Sequence, residues 1–540
     1  MPTILSNFQK IVHKYPDRTA IVHCLSRGQT TKITYAELDR RSEELAAYLT
    51  VQGIASGDFV GIYMRRSIDH VAAILGIHRA GAAFYSLNPR TTLEQVTYTA
   101  HLSQTPTILV DNEALLSLRN IRIDGEIEFT LTLYTSEELT QLHHQFFAQI
   151  RETFPLSRIQ VNSSTESNIT VWQNIVGHDV ALALFTSGST GSPKGVLISH
   201  QDLYNRALTE CEYYEITYED VLLNLLPFSF DVGANQLFTA LATGAQLVIL
   251  NSWLPADIAS IIKQHRVTGI SAVPAIWASV LSLQNHEEVV QAINSVRYIT
   301  ISGGDLAPDQ LKRLGELLHS TKIFKTYGQS ETFRSGILRP SEYQQKMLSV
   351  GRAVKGTQVL IMNRKRKQAS PNEMGEILHR GDGTMLGYLG DAKGTKQKLR
   401  MNPLQDKRSP CRQRVVFTGD IGRIDQDGYL YVLGRKDKMI KYLGYRIYPK
   451  EISDQILRHA SVQDAVAFGI PDKDVGKAIY AEVQIKPGQE LTEGELRRFL
   501  SDKLPPYMIP ARILFVVSFP RTPSGKIRLS EVERKYYEQR

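Results

Sequence analysis

Leu184-Phe185-Thr186-Ser187-Gly188-Ser189-Thr190-Gly191-Ser192-Pro193-Lys194-Gly195-Val196 is an apolar run that opens into glycines and hydroxyls and closes on Pro-Lys-Gly. Ala181 to Phe185 reads as a buried strand. Glycines let the backbone approach a ligand and turn its N–H groups inward, hydroxyls add donors, and a lysine supplies mobile positive charge. A polyphosphate needs all three. A short Gly/Ser run alone is more often a solvated turn. The strand before it and the Pro-Lys-Gly after it favour the phosphate reading. The stretch is not a GxxxxGK[ST] loop, because Gly195 follows Lys194 where that loop has a hydroxyl.

Outward from this loop, helix-like and strand-like segments alternate. Tyr35 to Val51 places Leu38, Leu45, Ala46 and Leu49 on one helical face, with Thr34 as N-cap and Glu37 completing a capping box. Phe59 to Tyr63 reads as a buried strand, and Val71 to Gly81 as a helix ended by glycine. Thr107 to Val110, Gln246 to Leu250, Gly269 to Val273 and Tyr298 to Ile301 are further strands. The alternation predicts α/β layers with largely parallel sheets. Residues 111 to 178 are polar and irregular and carry no functional signal. Gly428 to Gly434 resembles a hairpin strand, and beyond it Ala465 to Ile470 and Tyr480 to Ile485 are strands of a compact tail. A domain boundary is expected there, with a core domain over 1–434, a hinge over 435–437 and a small domain over 438–540.

The chain of 540 residues is longer than one core usually supports, which favours two domains. Its net charge of +8 admits an anionic substrate or an acidic partner. The basic residues form no stripe with interleaved aromatics, so no nucleic acid is expected. The runs Arg364 to Lys367 and Lys407-Arg408 with Arg412 and Arg414 read as solvated loops. Cys24, Cys211 and Cys411 are far apart, which argues against disulfides or a zinc site and fits a reducing compartment. No apolar run has the length of a membrane span, and the start shows no signal-peptide pattern. The expectation is a cytoplasmic protein that needs no membrane.

Further motifs follow the loop in order: Thr326-Tyr327-Gly328-Gln329-Ser330-Glu331-Thr332, Gly375-Glu376-Ile377 with Gly387-Tyr388, Thr418-Gly419-Asp420, Gly434-Arg435-Lys436-Asp437 with Lys441, Gly444-Tyr445-Arg446 and Glu451-Ile452, and Pro520-Arg521-Thr522-Pro523-Ser524-Gly525-Lys526-Ile527. Together they resemble the adenylate-forming superfamily of acyl-CoA synthetases, luciferases and nonribosomal peptide synthetase adenylation domains, over nearly the whole chain. The resemblance implies a large N-terminal domain of layered αβ subdomains, with mostly parallel sheets and a small β-barrel-like part, and a smaller mobile α+β C-terminal domain.

It also implies ATP and Mg²⁺. Thr186, Ser187, Gly188, Ser189, Thr190, Gly191 and Lys194 would hold phosphates. Gly303-Gly304-Asp305 would border the adenine, with Thr326, Tyr327, Gly328, Gln329 and Ser330 beside it. Glu331 is an oxygen ligand suited to a hydrated Mg²⁺ that bridges phosphates, with Thr186 as its companion. Tyr327 either stacks on adenine or fills the core. Asp420 can accept from both ribose hydroxyls, and Arg435 can pair with ribose or phosphate oxygens. Lys526 can stabilise the charge that builds as a carboxylate attacks phosphorus, so Lys526, Glu331 and Thr186 form the catalytic set. Asp437 matches the hinge about which the small domain would swing between two half-reactions, turning the loop of Lys441 to Gly444 toward the site.

Pro227-Phe228-Ser229-Phe230-Asp231 resembles the segment of amino-acid-activating domains whose aspartate pairs with the substrate ammonium. On spacing alone Asp231 could equally cap the next helix. The matching acid-pocket positions are Phe230, Asp231, Val232, Asn235, Ile276, Thr300, Ser302, Thr326, Arg334, Ser335 and Lys526. The opening Asp-Val with an amide third resembles proline-activating domains. Arg334 departs from that pattern: it suits a second substrate carboxylate, or it pairs with Glu331 or Asp305. L-Proline leads, with a small acidic amino acid or another acyl group behind it. No phosphopantetheine-attachment element follows Lys526, so the acceptor is expected to be a separate carrier protein, or coenzyme A. A nucleotide-binding module without turnover is a third reading.

Overall fold

The computed structural model describes residues 3–25, 29–89, 91–111, 113–114, 130–133, 159–161, 174–187, 193–281, 287–406, 408, 411, 413–442, 445–472, 476–522 and 525–537. The expected helix Tyr35–Val51 forms with its Thr34–Glu37 capping box, and Phe59–Tyr63, Thr107–Val110, Gln246–Leu250 and Tyr298–Ile301 form as strands. One expected helix starts earlier than its periodicity suggests. It spans Ile68–Arg79, because Ser67 caps it by accepting from the His70 amide. His70, His78 and Arg79 are buried among its apolar residues, which hides the true first turn from a reading of hydrophobicity alone.

Two large sheets dominate. In the nine-stranded sheet, Thr19–Cys24, Gln246–Leu250, Val221–Asn224, Gly269–Ala272, Tyr298–Ile301 and Lys322–Tyr327 run parallel, with antiparallel strands at both edges. Its neighbouring residues alternate between two cores. Leu222, Leu247 and Ile249 join a core shared with the second sheet, whereas Leu223, Val248, Ile270 and Ile299 face the opposite side. A parallel strand covered on both faces is mostly apolar, and these are, save for buried polar positions near their carboxyl ends such as Asn224, Ser271, Thr300 and Thr326. The shared core is filled by helices Ile4–Lys14, Tyr35–Val51, Ile68–Arg79, His200–Tyr214 and Asp231–Thr243. Helices Pro255–His265, Pro274–Leu281, Glu287–Asn294 and Pro308–Leu317 cover the other face.

The eight-stranded sheet carries Val180–Ser187, which leads into the Gly/Ser loop, and its return strand Pro193–Ser199. The expected smaller β part is a five-stranded antiparallel sheet. In it the long strand Arg414–Ile424 pairs with Gly375–Gly381 on one side and with Leu399–Met401 and Leu430–Arg435 on the other. Beyond it, Ile440, Ile447, Ile452, Ile456, Val483 and Leu496 belong to a core of their own around the sheet Val462–Asp472, Gly476–Ile485 and Arg512–Val516. Among the described residues, no helix is long and apolar enough to cross a membrane.

Candidate active site

Parallel strands end together, and the loops that leave their carboxyl ends converge on one crevice. Here Val221–Asn224, Tyr298–Ile301 and Lys322–Tyr327 deliver Phe230-Asp231, Gly303-Gly304-Asp305 and Gly328 to Glu331 into a cleft of about 960 Å³. Thr186, Lys194, Val232, Thr326, Tyr327, Arg334, Asp420, Arg435, Asp437 and Lys526 also border it. Gly188, Ser189, Thr190 and Gly191 lie outside the described residues, as does Gly444, and the Ser187 side chain is not described. Two glycines are obligatory. A Cβ on Gly328 would stand 1.4 Å from the Phe333 carbonyl oxygen. Gly303 has φ +78° with the Phe230 ring 3.0 Å from its Cβ position.

At one end the Asp420 carboxylate is pinned. Its Oδ2 accepts from the Tyr327 hydroxyl and from Gln329 Nε2, both at 2.7 Å. Arg435 reaches Oδ1 at 3.4 Å and the Thr418 carbonyl at 3.1 Å. Burial and the adjacent Asp420 charge push the Tyr327 phenol well above its ordinary value, so it stays a donor. Its ring belongs to the core, one of the two roles considered for it, and also walls the cleft. Asp305 is tied to the fully buried Lys325 at 2.8 Å.

Glu331 accepts from the Tyr388 hydroxyl at 2.6 Å and lies 3.8 Å from Lys398 Nζ. Lys194 pairs with Asp391 at 3.3 Å and lies over the Tyr388 ring. Among the described residues, no group of three or more His, Cys, Asp or Glu could hold a metal alone. That donor set fits Mg²⁺ brought in by a nucleotide, which takes one or two carboxylates and completes its shell with water and phosphate oxygens. Glu331 and Thr186, which both border the cleft, would supply the protein's share.

At the acid end the structure corrects several assignments. The N-cap of helix Asp231–Thr243 is Phe230, and Asp231 sits one residue inside, its Oδ1 accepting from the Val232 amide at 2.7 Å. A carboxylate in the first turn suits the helix dipole, and Asp231 still faces the cleft. Arg334 pairs with neither Glu331 nor Asp305. It pairs with Glu210 of helix His200–Tyr214 at 2.8 Å, both side chains 3% exposed. A guanidinium so deeply buried needs a carboxylate equally buried, and Glu210 meets that need from a helix 124 residues away in sequence. Ser335 turns away from the cleft to bond His379 Nδ1 at 3.0 Å. Asn235, Ile276, Thr300 and Ser302 are buried without bordering the cleft. Thr300, Ser302 and Thr326 satisfy one another in a hydroxyl chain at 3.0 and 2.9 Å. Sequence position could not reveal this, because a polar residue beside a site and one hydrogen-bonded behind its wall carry the same letter.

Lys526 arrives from the other direction. Gly525 has φ +81°, and a Cβ built on it would stand 3.2 to 3.5 Å from Ala275, Trp253 and Val273. The Lys526 amide bonds Thr522 Oγ1 at 3.1 Å, and its Nζ lies 6.0 Å from the Phe230 ring centre. The linker is fastened on both sides of Asp437. Lys436 pairs with Glu376 at 2.7 Å, and Lys438 with Glu533 of the terminal helix at 2.8 Å. Tyr388, Lys398 and Lys450 also border the cleft and were not foreseen as site residues. Lys398 closes a run with Lys393 and Lys396 in which no spacing marks one lysine, and Lys450 precedes the Glu451-Ile452 motif without being singled out by it.

Comparison with known proteins agrees with this geometry. The AMP-binding enzyme family matches residues 8–389, and the AMP-binding enzyme C-terminal domain matches residues 451–526. A linear gramicidin synthase polypeptide of Brevibacillus parabrevis is 30% identical over 525 residues, covering 96% of this chain and 6% of its own length. A plipastatin synthase polypeptide of Bacillus subtilis is 30% identical over 539 residues, covering 99% and 14%. This chain therefore spans only a small part of those relatives. Two solved structures share the fold: the o-succinylbenzoate CoA synthetase of Bacillus subtilis, at TM-score 0.79 and 24% identity over 99% of this chain and 98% of that one, and an anthranilate CoA ligase, at 0.82 and 20% over 99% and 97%. With its nucleotide-type cleft, and with family matches in both halves, this chain belongs to the AMP-binding enzyme family and is an adenylate-forming ligase.

Proposed function

We propose that this chain activates an amino acid with ATP and passes it to the phosphopantetheine thiol of a carrier protein. The observation that carries this is Asp231. Glu210 pairs with Arg334, whereas Arg206 donates to the Gly383 carbonyl at 2.9 Å and feels Asp202 first among the charges around it. Asp231, 9% exposed at the cleft, has no ion pair among the described residues. A buried carboxylate that makes no ion pair, with only the longer-range field of Arg206 and Arg334 on it, is a seat for a substrate ammonium. With Arg334 occupied, a second substrate carboxylate has no partner, so the small acidic amino acid falls behind a neutral one, and L-proline is the first candidate.

The substrate carboxylate attacks the α-phosphorus, pyrophosphate leaves, and an acyl-adenylate forms. Lys526 would offset the charge at that centre. Asp420 and Arg435 would fix the ribose, and Asp231 the ammonium. Mg²⁺, held by Glu331 and Thr186, would screen phosphate charge. A thiolate then attacks the acyl carbon and AMP leaves. We assign the swing between these steps to Asp437, between the Lys436 and Lys438 anchors, with residues 438–540 moving against 1–434. Free thiols at Cys24, Cys211 and Cys411 suit the cytoplasm.

A second reading, coenzyme A ligation of an acid without an amino group, is favoured by the field of Arg206 and Arg334, both of which act on Asp231. Acid-dependent ATP–pyrophosphate exchange decides. Exchange with proline or another neutral amino acid, lost in Asp231→Ala, supports the first reading. Exchange only with acids lacking an amino group moves the enzyme to the second, and no exchange with any acid overturns both.

A further inference from the structure

Lys398 ends the short helix Ala392–Lys398 and borders the cleft with its side chain 16% exposed. Its Nζ donates to the Thr418 carbonyl at 2.8 Å and to Gln329 Oε1 at 3.2 Å, and stands 3.8 Å from Glu331 Oε1. Gln329 in turn donates through Nε2 to Asp420 and to Thr418. Glu331 is the carboxylate at the phosphate end, and Asp420 the carboxylate at the ribose end. One ammonium thus links the two ends of the nucleotide cleft.

A lysine in that place also competes. Glu331 Oε1 already accepts from Tyr388 and feels Lys398 within ion-pair distance. A divalent cation arriving alone would meet a carboxylate whose charge is largely offset, beside a fixed positive charge that repels it. A cation arriving on a triphosphate brings its own negative oxygens, and Lys398 then attracts the complex it would otherwise exclude. We propose that Lys398 is a positioning residue that makes the metal site conditional on nucleotide: it disfavours bare Mg²⁺ at Glu331, favours the Mg²⁺–ATP complex, and holds Gln329 against Asp420. The proposal rests on the reading of this cleft as the nucleotide site.

Bare Mn²⁺ binding to the full chain, followed by electron paramagnetic resonance without ATP or acid, reads the first effect. ATP affinity in Mg²⁺, by calorimetry, reads the second. In Lys398→Met, Mn²⁺ should bind about tenfold more tightly and ATP about tenfold more weakly, the loss of one charge-assisted contact. Lys398→Arg, which keeps the charge, should stay near the parent on both counts, and thermal melting identifies any variant that fails to fold. Unchanged bare-Mn²⁺ affinity in a folded Lys398→Met, or equal loss of ATP binding in Met and Arg variants, overturns the proposal. If the parent chain binds no ATP, the nucleotide-site reading fails instead. If it binds ATP and both variants match it, the role of Lys398 alone is refuted.

Discussion

Glu210→Gln is the perturbation that best separates structure from specificity at the acid end. The Glu210–Arg334 pair spans 2.8 Å with both side chains 3% exposed. At an effective dielectric of about 20 the attraction is roughly 6 kcal/mol before desolvation of both groups is subtracted. Breaking a buried pair from one side costs about 3–5 kcal/mol, because the surviving charge stays buried without compensation. Arg334→Met should therefore destabilise the core domain by a similar amount, leaving Glu210 stranded. Replacing both, Glu210→Leu with Arg334→Met, should recover most of the loss. The two single variants should differ in function. In Glu210→Gln the freed guanidinium has Asp231 as a nearby anion, so KM for the amino acid should rise about tenfold with KM for ATP unchanged. In Arg334→Met no freed guanidinium competes, only the field of Arg206 that the parent also has, and KM for the acid should hold. Urea unfolding gives the stabilities, and ATP–pyrophosphate exchange gives the KM values. An Arg334→Met enzyme within about 1 kcal/mol of the parent that has lost acid binding would show that Arg334 contacts substrate after all.

Lys526→Ala should abolish most adenylate formation while ATP still binds, since Lys526 borders the cleft without pairing to the Tyr327–Gln329–Asp420 group proposed for the ribose; near-normal exchange in that variant refutes its role. Asp437→Pro should impair thioester formation more than exchange, because proline fixes a torsion at the residue between the Lys436 and Lys438 anchors, and equal loss of both half-reactions counts against a swing. Burial holds His70, His78 and His379 near 4 and His200 near 2, against the ordinary 6.5. Their folded values lie below their unfolded ones, so these sites cost nothing above pH 6.5, and stability is lost as pH falls below it. Each loses about 2 kcal/mol by pH 5, so the melting temperature should fall steeply between pH 6.5 and 5, and a flat profile there refutes the buried-histidine account.

The layered parallel sheets were legible because a strand buried on both faces is apolar throughout, as Leu222-Leu223 and Leu247-Val248 are. The convergence of Gly328, Glu331 and Asp420 on one cleft was legible too, because such glycine and carboxylate positions are set by local chain geometry. The acid end was not. Whether Arg334 and Ser335 face substrate depends on Glu210 and His379, which reach them from distant elements. Lys398 was hidden for the same reason: its partners Gln329, Glu331 and Thr418 lie 20 or more residues away.

The small domain's grip on the core is of a kind suited to motion. Its own apolar side chains are spent on its own cores, around Ile440, Ile452 and Val483 and around Phe468 and Val532. What it offers across the cleft is mostly charge. Lys450, paired with Asp454 at 2.6 Å, feels Asp305, which is held by Lys325. Lys436 and Lys438 are each fastened, but to opposite bodies. Polar contacts between domains are exchanged for water at little net cost, whereas an apolar seam of the same area would lock the pair. Lys526 is then placed less by interfacial adhesion than by the turn at Gly525, whose missing side chain lets it sit against Trp253 and Ala275. A domain that carries Lys526 on a close-fitting turn, behind a linker anchored on both sides, is built as the proposed swing requires, with Lys526 delivered for one step and withdrawn for the next.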